Sequence, residues 1–242
     1  MSDAASGDTN ATVWKSAATA EQWAAGSGAR ERRLAERMAF VARLLPFADE
    51  AAFTFVDLGA GTGAAARAVL TAYPRSRAIL AEFSPQMISE GARAMASFAD
   101  RYRYVEFDMT GSQWPTAIPR PVDAVITAQC VHHLPDDRKQ GLFGEIFTRL
   151  AAGGWFVNFD PVRAVDPSVE ATWQRVNDRL DPSAREAREH RSPSQQLRYE
   201  NHVRYMSDLD RQLAYLRDAG FAAVDVYWKQ LDYVIYAGCR PE

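Results

Sequence analysis

The chain has 242 residues, 47% hydrophobic and 24% charged, which is enough for one α/β domain with a full core and a modest insertion. Its formal charge of -3, from 28 basic and 31 acidic residues, supplies no global positive field, so nucleic acid is not an expected partner. Two cysteines, Cys130 and Cys239, are too few for a disulfide scaffold, and no apolar run reaches the length of a membrane span, so no membrane partner is expected either.

Met1 to Ala11 is small, polar and acidic, without the basic and apolar regions of a leader, so residues 1–12 are expected to form a disordered tail of a cytoplasmic protein. Ala29 to Leu45 then places Leu34, Met38, Val41 and Leu45 at helical spacing opposite Arg and Glu, and Pro46 stops the helix. Residues 13–46, with Trp14 and Trp23, are read as N-terminal lid helices.

Phe53 to Leu58 is an apolar strand carrying Asp57 near its end, and it runs into Gly59-Ala60-Gly61-Thr62-Gly63. Glycines there let the backbone bend sharply and turn N–H groups toward a ligand, and the helix starting at Ala64 points its positive end the same way. Gly59-x-Gly61-x-x-Ala64 also fits the dinucleotide fingerprint, so the turn alone leaves nicotinamide and other nucleotide cofactors open.

Further strands are predicted at Ala78–Ala81, Tyr104–Phe107, Asp123–Ala128 and Trp155–Phe159, separated by helical patterns, which implies a parallel sheet with right-handed crossovers. Ser84-Pro85 reads as an N-cap with proline at the first helical position. Asp136 and Asp137 suit the first turn of a helix running to Leu150, closed by Gly153-Gly154. Ser207-x-x-Asp210 reads as a capping box before Leu213 and Leu216.

Ala223–Lys229 and Asp232–Cys239 are too close in sequence for a crossover and should pair as an antiparallel hairpin. The long polar stretch from Pro161 to Met206 is expected to fold as helices over the carboxyl edge of the sheet. The fold class is therefore α/β: a doubly wound, seven-stranded, mostly parallel sheet with an antiparallel C-terminal hairpin and a helical lid.

Glu82 ends the second strand, where an acid can accept hydrogen bonds from both hydroxyls of a ribose. Asp108 follows at the tip of the third strand, and the fourth runs into Val131-His132-His133-Leu134. With Asp57–Gly63, Glu82, Ser84-Pro85-Gln86-Met87, Asp108, His132-His133-Leu134 and Gly153-Gly154 in order, the chain resembles class I S-adenosylmethionine (SAM)-dependent methyltransferases over residues 29–240.

The resemblance implies that Asp57 and the backbone of Gly59, Ala60, Gly61 and Gly63 hold the methionine part of SAM. It implies Glu82 for the ribose hydroxyls, Asp108 for the adenine amino group, Met109 packing at the base and the Ala128 carbonyl for the cofactor's amino group. Phe83, Met87 and Gln129 complete the implied cofactor-binding set. Residues 47–160 become the Rossmann-like SAM-binding core, 161–206 a helical cap insertion, and 207–242 the last core helix and hairpin.

The activity implied is O- or N-methylation of a small-molecule acceptor, of the kind found in natural-product metabolism, with S-adenosyl-L-homocysteine as product and a homodimer among the assemblies allowed. A related group, carboxy-S-adenosylmethionine synthase and its relatives, is resembled through Arg198 ahead of Ser207-Asp208, Leu216–Phe221 and Tyr227–Gln230. There an arginine matching Arg198 pairs with the extra carboxylate of carboxy-SAM. A non-catalytic SAM-binding partner protein is the third reading.

His132 and His133 either serve as general base toward the acceptor or pack and cap a helix, and His133 ranks second because neighbours on a loop tend to point apart. Asp160, Trp173, and Arg198 with its neighbour Tyr199 are candidates for contacts to the acceptor or to a carboxylate. No metal site is predicted, since His132, His133 and Asp136 crowd one loop without a ligand spacing. Cys130 reads as a small buried thiol.

Overall fold

The computed structural model describes residues 28–242. The expectations for the tail, for the first part of the lid and for Trp14 and Trp23 lie outside the described residues. A seven-stranded sheet runs β3 (Tyr102–Glu106), β2 (Arg77–Glu82), β1 (Thr54–Leu58), β4 (Val122–Ala128), β5 (Leu150–Pro161), β7 (Tyr233–Cys239), β6 (Ala222–Gln230). Strands β1 to β5 are parallel, and β7 is antiparallel to both β5 and β6.

Alternation along the strands sends successive side chains to two cores. Val56, Leu58, Ile79, Ala81 and Val125 face one side with Leu142, Phe143 and Ile146 of α4 (Asp136–Arg149) and Leu213 and Leu216 of α8 (Leu209–Asp218). Phe55, Ala78, Leu80, Ala124 and Ile126 face the other with Met38 and Val41 of α1 (Gly28–Arg43) and Val69 and Leu70 of α2 (Ala64–Ala72). Burying both faces is what a doubly wound sheet requires, and it explains why the strands read as continuous apolar runs.

Strand order reverses between β1 and β4, so the loops after these strands part and leave a crevice at their carboxyl ends. Helix α3 (Pro85–Ala94) starts beside it, with Ser84 as N-cap accepting from the Met87 N–H at 3.4 Å. Between β5 and α8 the chain forms α5 (Pro167–Leu180), α6 (Pro182–Glu189) and α7 (Pro193–Val203). Arg188 grips both oxygens of Asp178 at 2.9 Å to join α5 and α6, and α7 packs against the short 3-10 turn Val131–His133.

Two sequence expectations are corrected. The N-cap of α8 is Asp208, which accepts from the Arg211 N–H at 2.9 Å. Ser207 cannot cap because its hydroxyl is already bonded to Asp136 and to Lys139 Nζ, the latter at 2.6 Å. Helix α4 ends at Arg149, not at the glycines: Gly153 and Gly154 lie within β5, where Gly153 takes φ 75° and each exchanges a 2.8 Å backbone bond with Arg240.

Candidate active site

One cavity of about 380 Å³ lies at the carboxyl ends of β1, β2 and β4. Its size falls within the roughly 300–1,000 Å³ of small-molecule sites. From the glycine turn it is bordered by Asp57, Gly59, Ala60 and Gly61, from β2 and α3 by Glu82, Phe83 and Met87. Asp108 and Met109 close the third side, and Ala128 and Gln129 the end of β4. Of the residues expected to bind a cofactor, Gly63 alone is off the lining; it caps α2 at φ 79° and backs onto Met95 and Leu80.

The turn is held in place by its neighbours. Gly59 N–H and Ala60 N–H both donate to the Ala81 carbonyl, at 2.8 and 3.2 Å, and Tyr104 Oη donates to the Gly61 carbonyl at 3.0 Å. A methyl group on Gly59, at φ 65°, would overlap Cys130 Sγ, whereas the space over Gly61, at φ 52°, is open. Tyr104 reaches the turn only because Gly91 on α3 has no side chain to block it. This bracing from β3 carries no motif, and nothing in the sequence marks it.

The acids differ in environment. Asp57 is 1% exposed and accepts from the Ala66 N–H at 3.0 Å. Burial pushes its carboxyl up to about 7, against the pull of that N–H, with Glu82 adding to the rise. Glu82 accepts from Gly61, Phe83 and Ser84 N–H at 2.9, 3.0 and 2.9 Å, and burial raises it as well. Asp108 is exposed and uses Oδ1 to accept from Thr110 N–H and Oγ1 at 2.9 and 2.7 Å, a turn that fixes its direction at the rim.

The histidines do not point apart. The 3-10 turn after β4 sets their rings 3.9 Å apart at 42°, and His202 of α7 closes on both. His132 is 1% exposed and clamped by Asp160: its backbone N–H donates to Oδ2 and its Nδ1 meets Oδ1, both at 2.7 Å, while Nε2 faces His202 Nδ1 at 3.1 Å. Burial lowers His132 to about 3 and pushes His133 well down, so both imidazoles are neutral, and raises Asp160 to about 7. His133 is the one that borders the cavity.

Four candidates for the acceptor side are placed elsewhere. Asp160 is fully buried behind His132 and off the lining. Trp173 packs against the core and is off the lining, with Lys229 Nζ 5.3 Å from its ring. Arg198, on α7 ahead of Asn201, is off the lining, and Tyr199 is exposed with the Arg191 guanidinium 3.8 Å over its ring. The chain sends Asn201, Arg204 and Tyr205 to the cavity instead.

Residues 56–156 match the family model of a methyltransferase domain. That stretch runs from β1 into β5 and holds the glycine turn, Glu82, Asp108 and the histidine pair. No curated protein matches the sequence significantly. Among solved structures, an O-methyltransferase family protein from Burkholderia thailandensis is 14% identical with a TM-score of 0.70, covering 97% of this chain and 63% of that one. An O-methyltransferase family 2 protein from Planctomyces limnophilus, in complex with apigenin, is 17% identical with a TM-score of 0.65, covering 93% and 61%. Human N-acetylserotonin methyltransferase, in complex with SAM, is 17% identical with a TM-score of 0.60, covering 96% and 58%. The chain spans about three-fifths of the length of these structures.

The cavity has a second half, on the side of α1 and the 161–206 insertion. Leu34 and Met38 of α1, Leu134 and Pro135 after the histidines, Asn201 of α7, and Arg204 and Tyr205 after it enclose it. Leu34 and Met38 were legible only as the apolar stripe of an amphipathic helix. Lys139, buried in α4, ties this far wall down through Ser207 Oγ at 2.6 Å and the Tyr205 carbonyl. No helix among the described residues is long and apolar enough to cross a membrane.

Proposed function

We propose that the protein transfers a methyl group from SAM to an oxygen or nitrogen atom of a small-molecule acceptor. The observation that carries this reading is the convergence of Asp57, the open backbone over Gly61, Glu82 and Asp108 on one cavity that His133 borders at its other end.

The residues present suit the cofactor. Glu82 Oε2 accepts one backbone hydrogen bond and, as a carboxylate oxygen, has room to accept a ribose hydroxyl. Gly61 leaves space where any larger residue would project a side chain. Asp57, buried and proton-hungry, offers a counter-charge for a cationic amino group. SAM itself, when bound, supplies an electrophilic methyl group on a sulfonium, so the protein's work is alignment and exclusion of water.

On the acceptor side, Leu34, Met38, Leu134 and Pro135 form an apolar wall against a flat or aliphatic body. His133, kept neutral by burial, takes the proton from the acceptor hydroxyl or amine as the methyl group is transferred. Asp160 orients His132, whose ring stands against that of His133 at a tilt. A cytoplasmic setting suits the two free thiols, Cys130 and Cys239.

The test is incubation with SAM carrying an isotopically labelled methyl group and a panel of phenols, amines and carboxylic acids, followed by mass spectrometry. Label on a small molecule, reduced in His133→Gln, is the expected result; no label on any acceptor despite tight SAM binding would favour the non-catalytic binding protein.

A further inference from the structure

Of the chain's four histidines, three meet at one point, where the turn after β4 touches α7. One ring nitrogen from each of His132, His133 and His202 lies within 4.8 Å of the other two. The closest pair, His132 Nε2 and His202 Nδ1, is 3.1 Å apart. Tetrahedral zinc with bonds of about 2.0–2.1 Å holds its nitrogen ligands roughly 3.3 Å from each other, so this pair already spans one edge of such a site.

The surroundings match what metal-bound histidines need. Asp160 accepts from the backbone N–H of His132 and, as a carboxylate, from Nδ1–H, both at 2.7 Å; this fixes the ring and leaves the Nε2 lone pair directed at His202. The Asp160 carboxylate offsets the like charge of nearby Lys139, which is itself held by Asp136 and Ser207.

We propose that His132, His133 and His202 form a site for one divalent transition-metal ion of the zinc class, its remaining coordination position on the side where His133 borders the cavity. The closure it requires is a ring movement of at most about 1.5 Å, since all three nitrogens already lie within 4.8 Å of one another. Such an ion bridges the β4 turn to α7 and fastens the far wall of the cavity. It also occupies the lone pair with which His133 would accept a proton, so the metal-bound and base-active forms are alternatives.

The inference goes beyond methyl transfer and is read out without it. Tag-free protein, stripped with chelator, is titrated with Co²⁺ and followed by visible absorption. One Co²⁺ per chain with the strong d–d bands of tetrahedral nitrogen coordination, displaced by one equivalent of Zn²⁺, is expected. His202→Ala abolishes the bands while its circular dichroism stays native, Asp160→Asn weakens binding roughly 10- to 100-fold, and His190→Ala changes nothing. A spectrum that stays that of the aqueous ion, or one that His202→Ala leaves intact, overturns the site. SAM affinity measured on the same samples reports on the methyl-transfer reading separately, so the two can fail independently.

Discussion

Glu82 Oε2 accepts the Gly61 N–H at 2.9 Å, which joins the acid at the tip of β2 to the glycine turn after β1. The other oxygen accepts from Phe83 and Ser84, so a single carboxylate shapes two loops of the cavity. Because all three donors are N–H groups, an amide in its place must turn an NH₂ toward one of them. Glu82→Gln is therefore expected to be nearly as damaging as Glu82→Ala: SAM affinity down roughly 10- to 100-fold and about 1–3 kcal/mol of stability lost. Calorimetric titration and thermal melts check both, and a Gln variant that binds like the parent would contradict the role.

Asp57 makes the empty protein pH-sensitive. Its folded-state value of about 7 lies above the ordinary 3.8, so the folded form holds a proton that the unfolded form has released. Its contribution is fully present below about pH 4 and is lost as pH rises through 7; Asp160, also raised to about 7, acts in the same direction. Asp57→Asn keeps an oxygen for the Ala66 N–H and removes the buried charge. Melting curves at pH 5 and pH 8 should show the ligand-free variant gaining at pH 8, by at most roughly 2–4 kcal/mol, with a shallower pH slope and weaker SAM binding. Unchanged slopes would show that the group is ionised without penalty.

The two central glycines should respond differently to alanine. Gly59→Ala meets Cys130 Sγ and Cβ as well as a backbone at φ 65°, and should cost about 2–4 kcal/mol, of which Cys130→Ala recovers only a part, because the Cβ it keeps lies 2.8 Å from the added methyl group. Gly61→Ala meets nothing, so it should cost only the backbone part, roughly 1–2 kcal/mol, while narrowing the cavity and weakening SAM. Equal stability losses in the two single variants would refute the clash.

Some of this site was written in local sequence and some was not. Asp57, Glu82 and Asp108 could be found because each ends an apolar run, and a parallel sheet brings successive strand ends to one edge. The place of His202 could not be read: it meets His132 across 70 residues, through a polar helix whose seat against the turn after β4 depends on tertiary packing. Arg198 fits the spacing of the family resembled but lies off the lining, earlier on the same helix than Asn201. Ser207 has the residue type of a cap, and the cap moved to Asp208 because Lys139 and Asp136 claim its hydroxyl. Local pattern predicts elements; which of two eligible side chains takes a partner is decided by groups distant in sequence.

The buried amine of Lys139 holds the far wall through Tyr205 and Ser207. Lys139→Met removes both bonds while filling the space, and should cost about 1–3 kcal/mol. Hydrogen exchange should quicken over 200–207 and the acceptor KM should rise with SAM affinity little changed. Exchange that quickens instead around the glycine turn would place the effect of Lys139 on the wrong half of the cavity.

Equilibrium titration of SAM into the ligand-free protein, alongside NAD and with Glu82→Ala and Asp108→Ala in parallel, addresses the core of the account. One SAM per chain, weakened at least tenfold by Glu82→Ala and measurably by Asp108→Ala, with no heat from NAD, is the predicted outcome. No association with SAM by the parent protein, or NAD binding in its place, would contradict it.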